Sequence, residues 1–145
     1  MFHPRVILHP TDFSECSRHA FDIAADLARQ YEAALLVLHV AATLGPENVT
    51  YGEATSHLEP ESYRQRLEED LRRSVPAPAG VSTQYLLAAG EPAREISRVA
   101  REHSGDLIVM GTHGSSGLSR LLMGSIAEHV IRLASCPVLV SKCPA

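Results

Sequence analysis

Short apolar runs of strand length alternate with longer segments of helical spacing along this chain, and that order constrains the fold more than any other feature. The runs are Arg5 to His9, Ala34 to Val40, Val81 to Leu87, Asp106 to Met110 and Pro137 to Ser141. Several carry apolar residues on both faces, as a buried parallel sheet requires, so the reading is βαβαβαβαβ with a parallel sheet and helices on both sides. At 145 residues, with 45% apolar and 21% charged residues, the chain suits one domain over 1–145 with one ordinary core.

The first helix is expected to begin near Ser14 and to turn Phe13, Cys16, Ala20, Ile23, Ala24, Leu27 and Tyr31 toward the sheet. Tyr63, Leu67 and Leu71 recur every fourth residue within the charged run 61–73 and predict a second helix with a narrow buried seam. A third follows Gly90-Glu91-Pro92, where proline suits the first turn, shows Ile96, Val99 and His103 on its inner face, and stops by Gly105. The last carries Ile126, Ala127, Val130, Ile131 and Ala134 before Pro137 opens the final strand. The stretch from Ala41 to Pro60 has no clear period, and a lid and a plain surface connection are equally open there.

Charge and cysteine content exclude several function classes. A net charge of −4 provides no broad basic field for a nucleic-acid backbone. The longest apolar stretch, Ala33 to Leu44, is interrupted by His39 and falls short of a membrane span, and no signal peptide opens the chain, so the expectation is a cytoplasmic protein with no membrane partner. Cys16, Cys136 and Cys143 are odd in number and widely spaced, which reads as reduced thiols without a role. With no HExxH pair or Cys/His cluster, no intrinsic metal site is expected.

Chemistry is concentrated in two turns. Gly111-Thr112-His113-Gly114, followed by nine residues and then Gly124-Ser125, leaves the fourth strand and enters the last helix. Glycines there admit positive φ and close approach of backbone amides to a phosphate, and a helix start adds an anion site. Micromolar binding needs about −8 kcal/mol, whereas a helix dipole contributes only about 0.3–1 kcal/mol. Several hydrogen bonds to charged oxygens, each worth roughly 1.5–3 kcal/mol, are therefore required. The amides of Gly114, Ser115 and Gly124 to Ile126 and the hydroxyls of Ser115 and Ser125 are the candidate donors, with His113 and Arg120 as charge helpers. Turns alone would also explain Gly111, Gly114 and Gly117.

The second turn is His9-Pro10-Thr11-Asp12-Phe13-Ser14, between the first strand and the first helix. With strand order 3-2-1-4-5 the first and fourth strands are neighbours, and both turns face the crevice where ligands bind in open α/β sheets. Asp12 is read either as an acceptor for ribose or adenine or as a helix N-cap completed by Glu15 in a capping box.

Taken together, Pro10-Thr11-Asp12-Phe13-Ser14 and the GxxG, nine residues, Gly-Ser pattern closely resemble the nucleotide-binding branch of the universal stress protein family. The likeness extends from Arg5 to Lys142 and implies an open five-stranded parallel sheet of order 3-2-1-4-5, Rossmann-like and similar to the adenine nucleotide alpha hydrolases. It implies that Pro10, Thr11, Asp12 and the backbone at Val40 surround adenine and ribose, with Met110 and Gly111 below. Gly114, Ser115, Gly124, Ser125 and Ile126 match positions that contact the triphosphate of ATP, often with Mg or Mn on its oxygens. The family also implies a homodimer paired through the edge strand Val138 to Ser141, an arrangement that would protect its unpaired amides.

The same residues speak against a fast hydrolase. GxxxxGK[ST] and GxSxG are both absent, and the glycine loop carries no lysine. A nucleotide-dependent regulatory module in the stress response is the leading expectation, with no catalytic residues assigned. An interaction protein that keeps the fold without nucleotide, and a slow ATPase, are the alternatives.

Overall fold

The computed structural model describes residues 1–41, 60–113 and 123–143. Among the described residues nine elements alternate: β1 (Val6–Pro10), α1 (Glu15–Tyr31), β2 (Ala34–Ala41), α2 (Pro60–Ser74), β3 (Thr83–Ala89), α3 (Pro92–Glu102), β4 (Leu107–Gly111), α4 (Ser125–Leu133) and β5 (Val138–Ser141). All strand pairs are parallel, in the order β3-β2-β1-β4-β5. The expected topology is therefore the observed one. The expected third strand starts two residues late, at Thr83, because Val81 turns back to hydrogen-bond the Pro78 carbonyl at 3.3 Å.

Successive residues of a strand point to opposite faces, and here both faces are covered. Ile7, Leu35, Val37 and Val109 join Ala24, Ala28 and Leu71 in one core layer, under α1 and α2. Leu8, Leu36, Leu38, Ile108 and Met110 join Ile96, Val99, Ala127 and Val130 in the other, under α3 and α4. These two layers explain why the strands carry apolar residues on both faces. No described helix is long and apolar enough to cross a membrane.

The expected stripe of α1 faces the sheet except for Phe13, with its small residues deepest. Ala20, Ala24 and Ala28 contact the sheet at four-residue steps, together with Cys16, Ser17 and Ala25, while Phe21, Ile23, Leu27 and Tyr31 flank them half-buried. Alanines let the helix approach the strands closely, so the larger side chains are left at the sides of the contact. Phe13 lies before the helix and is 38% exposed. In α2 the narrow seam is observed, with Leu71 fully buried and Tyr63 and Leu67 half-buried. Pro92 is the first residue of α3, and the Glu91 carboxylate caps that helix by accepting the Ala93 and Arg94 amides at 3.2 and 3.0 Å.

One expectation is overturned. Cys16 and Cys143 are joined in a disulfide, and of the three cysteines Cys136 alone is free. The pairing is invisible in sequence because 127 residues separate the partners, whereas the sheet order sets the start of α1 beside the end of β5. The stretch 42–59, where a lid or a surface connection was expected, lies outside the described residues, as do Gly114, Ser115, Gly117 and Arg120.

Candidate functional site

Adjacent strands β1 and β4 send their connections to opposite faces of the sheet: α1 packs with the first core layer and α4 with the second. The chain thus parts at the carboxyl end of these two strands, where a crevice forms for topological reasons. A cavity of about 270 Å³ occupies it, near the lower end of the roughly 300–1,000 Å³ typical of small-molecule sites.

From β1 and its turn, Pro10, Thr11 and Asp12 line the cavity, and Val40 of β2 closes one side. Met110, Gly111 and His113 contribute from β4 and the residues after it, and Gly124, Ser125 and Ile126 from the start of α4. Ten of the expected site residues are thus brought to one place, while Gly114 and Ser115 lie outside the described residues. Ser17, Pro92, Ile96, Thr112 and Ala127 also line the cavity. The sequence marks Pro92, Ile96 and Ala127 only as helix start and core. Their part in the site depends on how α3 and α4 pack, for which the sequence carries no signal.

The β1 turn is held by a dense set of hydrogen bonds. The Thr11 amide donates to the Leu38 carbonyl at 2.8 Å, and His39 donates from Nδ1 to the Thr11 carbonyl at 2.9 Å. The buried Thr11 hydroxyl accepts the Phe13 amide at 3.1 Å and the Ser17 hydroxyl at 2.9 Å. Phe13 has φ of 67°, in the left-handed region that a bulky residue adopts only when its surroundings hold it there. Its ring packs on His39 with centroids 4.6 Å apart.

The helix-cap role read for Asp12 falls to another residue. Ser14 is the N-cap of α1, accepting the Ser17 amide at 3.1 Å, and Asp12 Oδ1 accepts the Ser14 amide at 3.0 Å. Asp12 therefore orders the turn before the cap and is not the cap itself, and it stands at the cavity wall.

Glycine serves a different purpose here from the one expected. Gly124 has φ of −68° and ψ of 157°, open to any residue, and its amide donates to the Thr112 carbonyl at 2.7 Å. A Cβ at this position would stand 2.7 Å from that same carbonyl oxygen. Glycine is required because two backbones touch, and the Gly124 amide is not available to a ligand. Gly111 is similar, since a Cβ there would lie 2.9 Å from Cys16 Sγ.

Anion-binding capacity comes from the first turn of α4. No side chain caps this helix, and the Glu128 amide is the first to find an intrahelical acceptor, the Gly124 carbonyl at 3.1 Å. The amides of Ser125, Ile126 and Ala127 have no acceptor within the helix and sit at the positive end of its dipole. His113, another residue of the cavity wall, is buried, with Nδ1 hydrogen-bonded to the Thr112 hydroxyl at 3.0 Å and Nε2 without a partner. A buried ring nitrogen left unpaired in a cavity wall is costly unless a ligand or water completes it.

His9 lies one position before the turn and is fully buried. Its Nδ1 donates across the strands to the Val109 carbonyl at 2.9 Å. Burial lowers its pKa from 6.5 to about 4, against the opposing effects of that hydrogen bond and of Asp12. His9 is thus a neutral strand-to-strand brace beneath the site. Among the described residues no cluster of three or more His, Cys, Asp or Glu side chains is placed to hold a metal ion.

Comparison with known proteins converges on one family. Residues 4–142 match the Universal stress protein family. Universal stress protein MJ0531 of Methanocaldococcus jannaschii is 36% identical over 140 residues, covering 95% of this chain and 82% of that one. The structure of MJ0577 from the same organism superposes with a TM-score of 0.73 at 26% identity, over 100% of this chain and 99% of the other. A universal stress protein solved in complex with cAMP shares the fold, with a TM-score of 0.68 at 20% identity, over 98% and 99% of the two chains. With the family match running from two residues before β1 to the residue after β5, and with this sheet order, this chain belongs to the universal stress protein family.

Proposed function

We propose that this protein is a cytoplasmic nucleotide-binding module that takes up ATP in the crevice between β1 and β4 and acts through occupancy of that site in the stress response. The observation that carries this reading is the meeting, in one cavity, of the uncapped first turn of α4 with the turn 10–12 and the buried His113. Apolar and backbone surface from Pro10, Val40 and Met110 suits the flat face of adenine, Asp12 suits ribose or adenine donors, and the α4 amides suit phosphate oxygens. A cAMP complex on the same fold at least shows that such a scaffold accommodates an adenine nucleotide elsewhere.

Three amide bonds to charged oxygens, at roughly 1.5–3 kcal/mol each, supply about 4.5–9 kcal/mol before ordering costs. Micromolar affinity, about −8 kcal/mol, is within reach when adenine burial is added. Mg²⁺ or Mn²⁺ would bind to the phosphate oxygens, because no described cluster of side chains offers the ion a site of its own. The edge strand β5, whose Val138, Leu139 and Val140 are only half-buried, is proposed to pair with a second copy to form a homodimer.

Isothermal calorimetry with ATP and Mg²⁺ tests the site directly, and wild-type protein that takes up no nucleotide refutes the proposal. Ser125→Pro is the informative variant. Proline is tolerated as the first residue of a helix, and Gly124 already has the extended backbone that a residue before proline needs. The change deletes one amide donor and one hydroxyl while α4 persists, so a loss of tenfold or more in affinity is expected with an unchanged circular dichroism spectrum.

A further inference from the structure

The disulfide between Cys16 and Cys143 lies against the site just described. Its two α-carbons are 4.5 Å apart, and it ties the first turn of α1 to the residues leaving β5. Between these two segments runs Thr112. Its hydroxyl is 3.8 Å from Cys16 Sγ and 3.6 Å from Cys143 Sγ, its amide donates to the Ser141 carbonyl at 2.9 Å, and its carbonyl accepts the Gly124 amide at 2.7 Å. Cys143 Sγ also stands 3.8 Å from His113 Nδ1. Thr112, His113 and Gly124 all line the cavity, so the sulfur bridge and the nucleotide site share a wall. Gly111 leaves room for it, since a Cβ there would press on Cys16 Sγ.

We propose that Cys16 and Cys143 are a reversible dithiol–disulfide site that takes a small-molecule disulfide, such as glutathione disulfide, as its oxidant and sets nucleotide affinity through Thr112. The coupling rests on the nucleotide reading above. Disulfides in reducing compartments are rare, and those that form there are mostly transient or redox-sensing. Cys16 is 5% exposed and Cys143 half-buried, which makes the Cys143 sulfur the point of first attack. The Cys143 thiolate attacks one sulfur of the oxidant, forming a mixed disulfide and releasing one thiol. The Cys16 thiolate then attacks Cys143 Sγ and displaces the second thiol. Protein dithiol plus one small disulfide gives protein disulfide plus two small thiols, so two electrons and two protons leave the protein. A small thiol in excess reverses both steps.

The oxidised form holds Thr112 between the two sulfurs and Ser141, and so holds the carbonyl that positions Gly124 at the start of α4. Reduction frees the residues after β5 from α1 and loosens that wall. ATP is therefore expected to bind the oxidised form at least fivefold more tightly, the lower end of ordinary coupling between sites. Reciprocity then requires saturating ATP to shift the thiol–disulfide equilibrium toward the disulfide by the same factor.

Equilibration of the full chain in glutathione buffers, followed by alkylation and mass spectrometry, reads the first half of the proposal. The reduced protein should carry three alkyl groups and the oxidised protein one, on Cys136. Three free thiols in excess glutathione disulfide overturn the site. Calorimetry with ATP in both states reads the second half, and equal affinities overturn the coupling. Cys143→Ser, checked for fold by circular dichroism, should show the weaker affinity in either buffer, and Cys136→Ser should respond as wild type does. If neither state binds ATP, the nucleotide reading and the coupling both fail, while the alkylation count still decides the cysteine pair.

Discussion

Replacement of His9 by asparagine should remove most of one component of the acid sensitivity of this protein. His9 is fully buried and neutral, with Nδ1 committed to the Val109 carbonyl. In the unfolded chain its imidazole takes up a proton near 6.5, and in the folded chain near about 4. Between these values the unfolded state holds the extra proton, so falling pH favours unfolding. The stabilisation is complete above 6.5 and is lost as pH drops toward 4. The gap of about 2.5, at roughly 1.36 kcal/mol for each pH step, comes to roughly 3 kcal/mol. An asparagine amide can donate in place of Nδ1 and does not titrate in this range. Urea unfolding at a series of pH values between 7.5 and 4 measures the difference between variant and wild type. Wild type should lead at neutral pH because it fills the space better, and that lead should shrink by roughly 3 kcal/mol by pH 4. A difference that stays constant across the series would show that His9 is not held neutral by burial, and the assignment would fail.

Two further outcomes follow from packing. Leu71 is the fully buried residue of the α2 seam, so Leu71→Ala should cost about 2–5 kcal/mol in urea unfolding, and a loss well below 1 kcal/mol would mean that α2 is not docked as described. If β5 pairs with a second copy, light scattering at micromolar concentration should give a mass twice that of one chain, and a mass of one chain would refute the homodimer.

Much of the cavity wall is legible in the sequence, and the reason is local. Pro10-Thr11-Asp12 ends β1 and Gly124-Ser125 opens α4, so their composition reports an element boundary whatever its surroundings. The side of the cavity formed by Pro92, Ile96 and Ala127 gives no such report, because those residues look like any helix start or helix core. Gly124 shows a subtler gap. A glycine is visible in the sequence, but that its neighbour is the Thr112 carbonyl and not a phosphate depends on where β4 sends its backbone. Apart from Phe13 the expected stripe on α1 is buried or half-buried, but which of its residues touch the sheet most closely is not legible, for the same reason. Periodicity ranks residues by hydrophobicity, whereas the distance between α1 and the sheet selected the small alanines for the contact.

Alternation of apolar runs with helical segments determined by itself the number and order of elements, the parallel sheet and its two covered faces, since a strand that is apolar on both faces has no face to give to water. Tertiary structure alone decided which distant residues meet: Cys16 with Cys143, His9 with Val109, and Thr112 with Gly124. Such contacts depend on strand order and helix packing, which sum over the whole chain, and no short window of sequence encodes that sum.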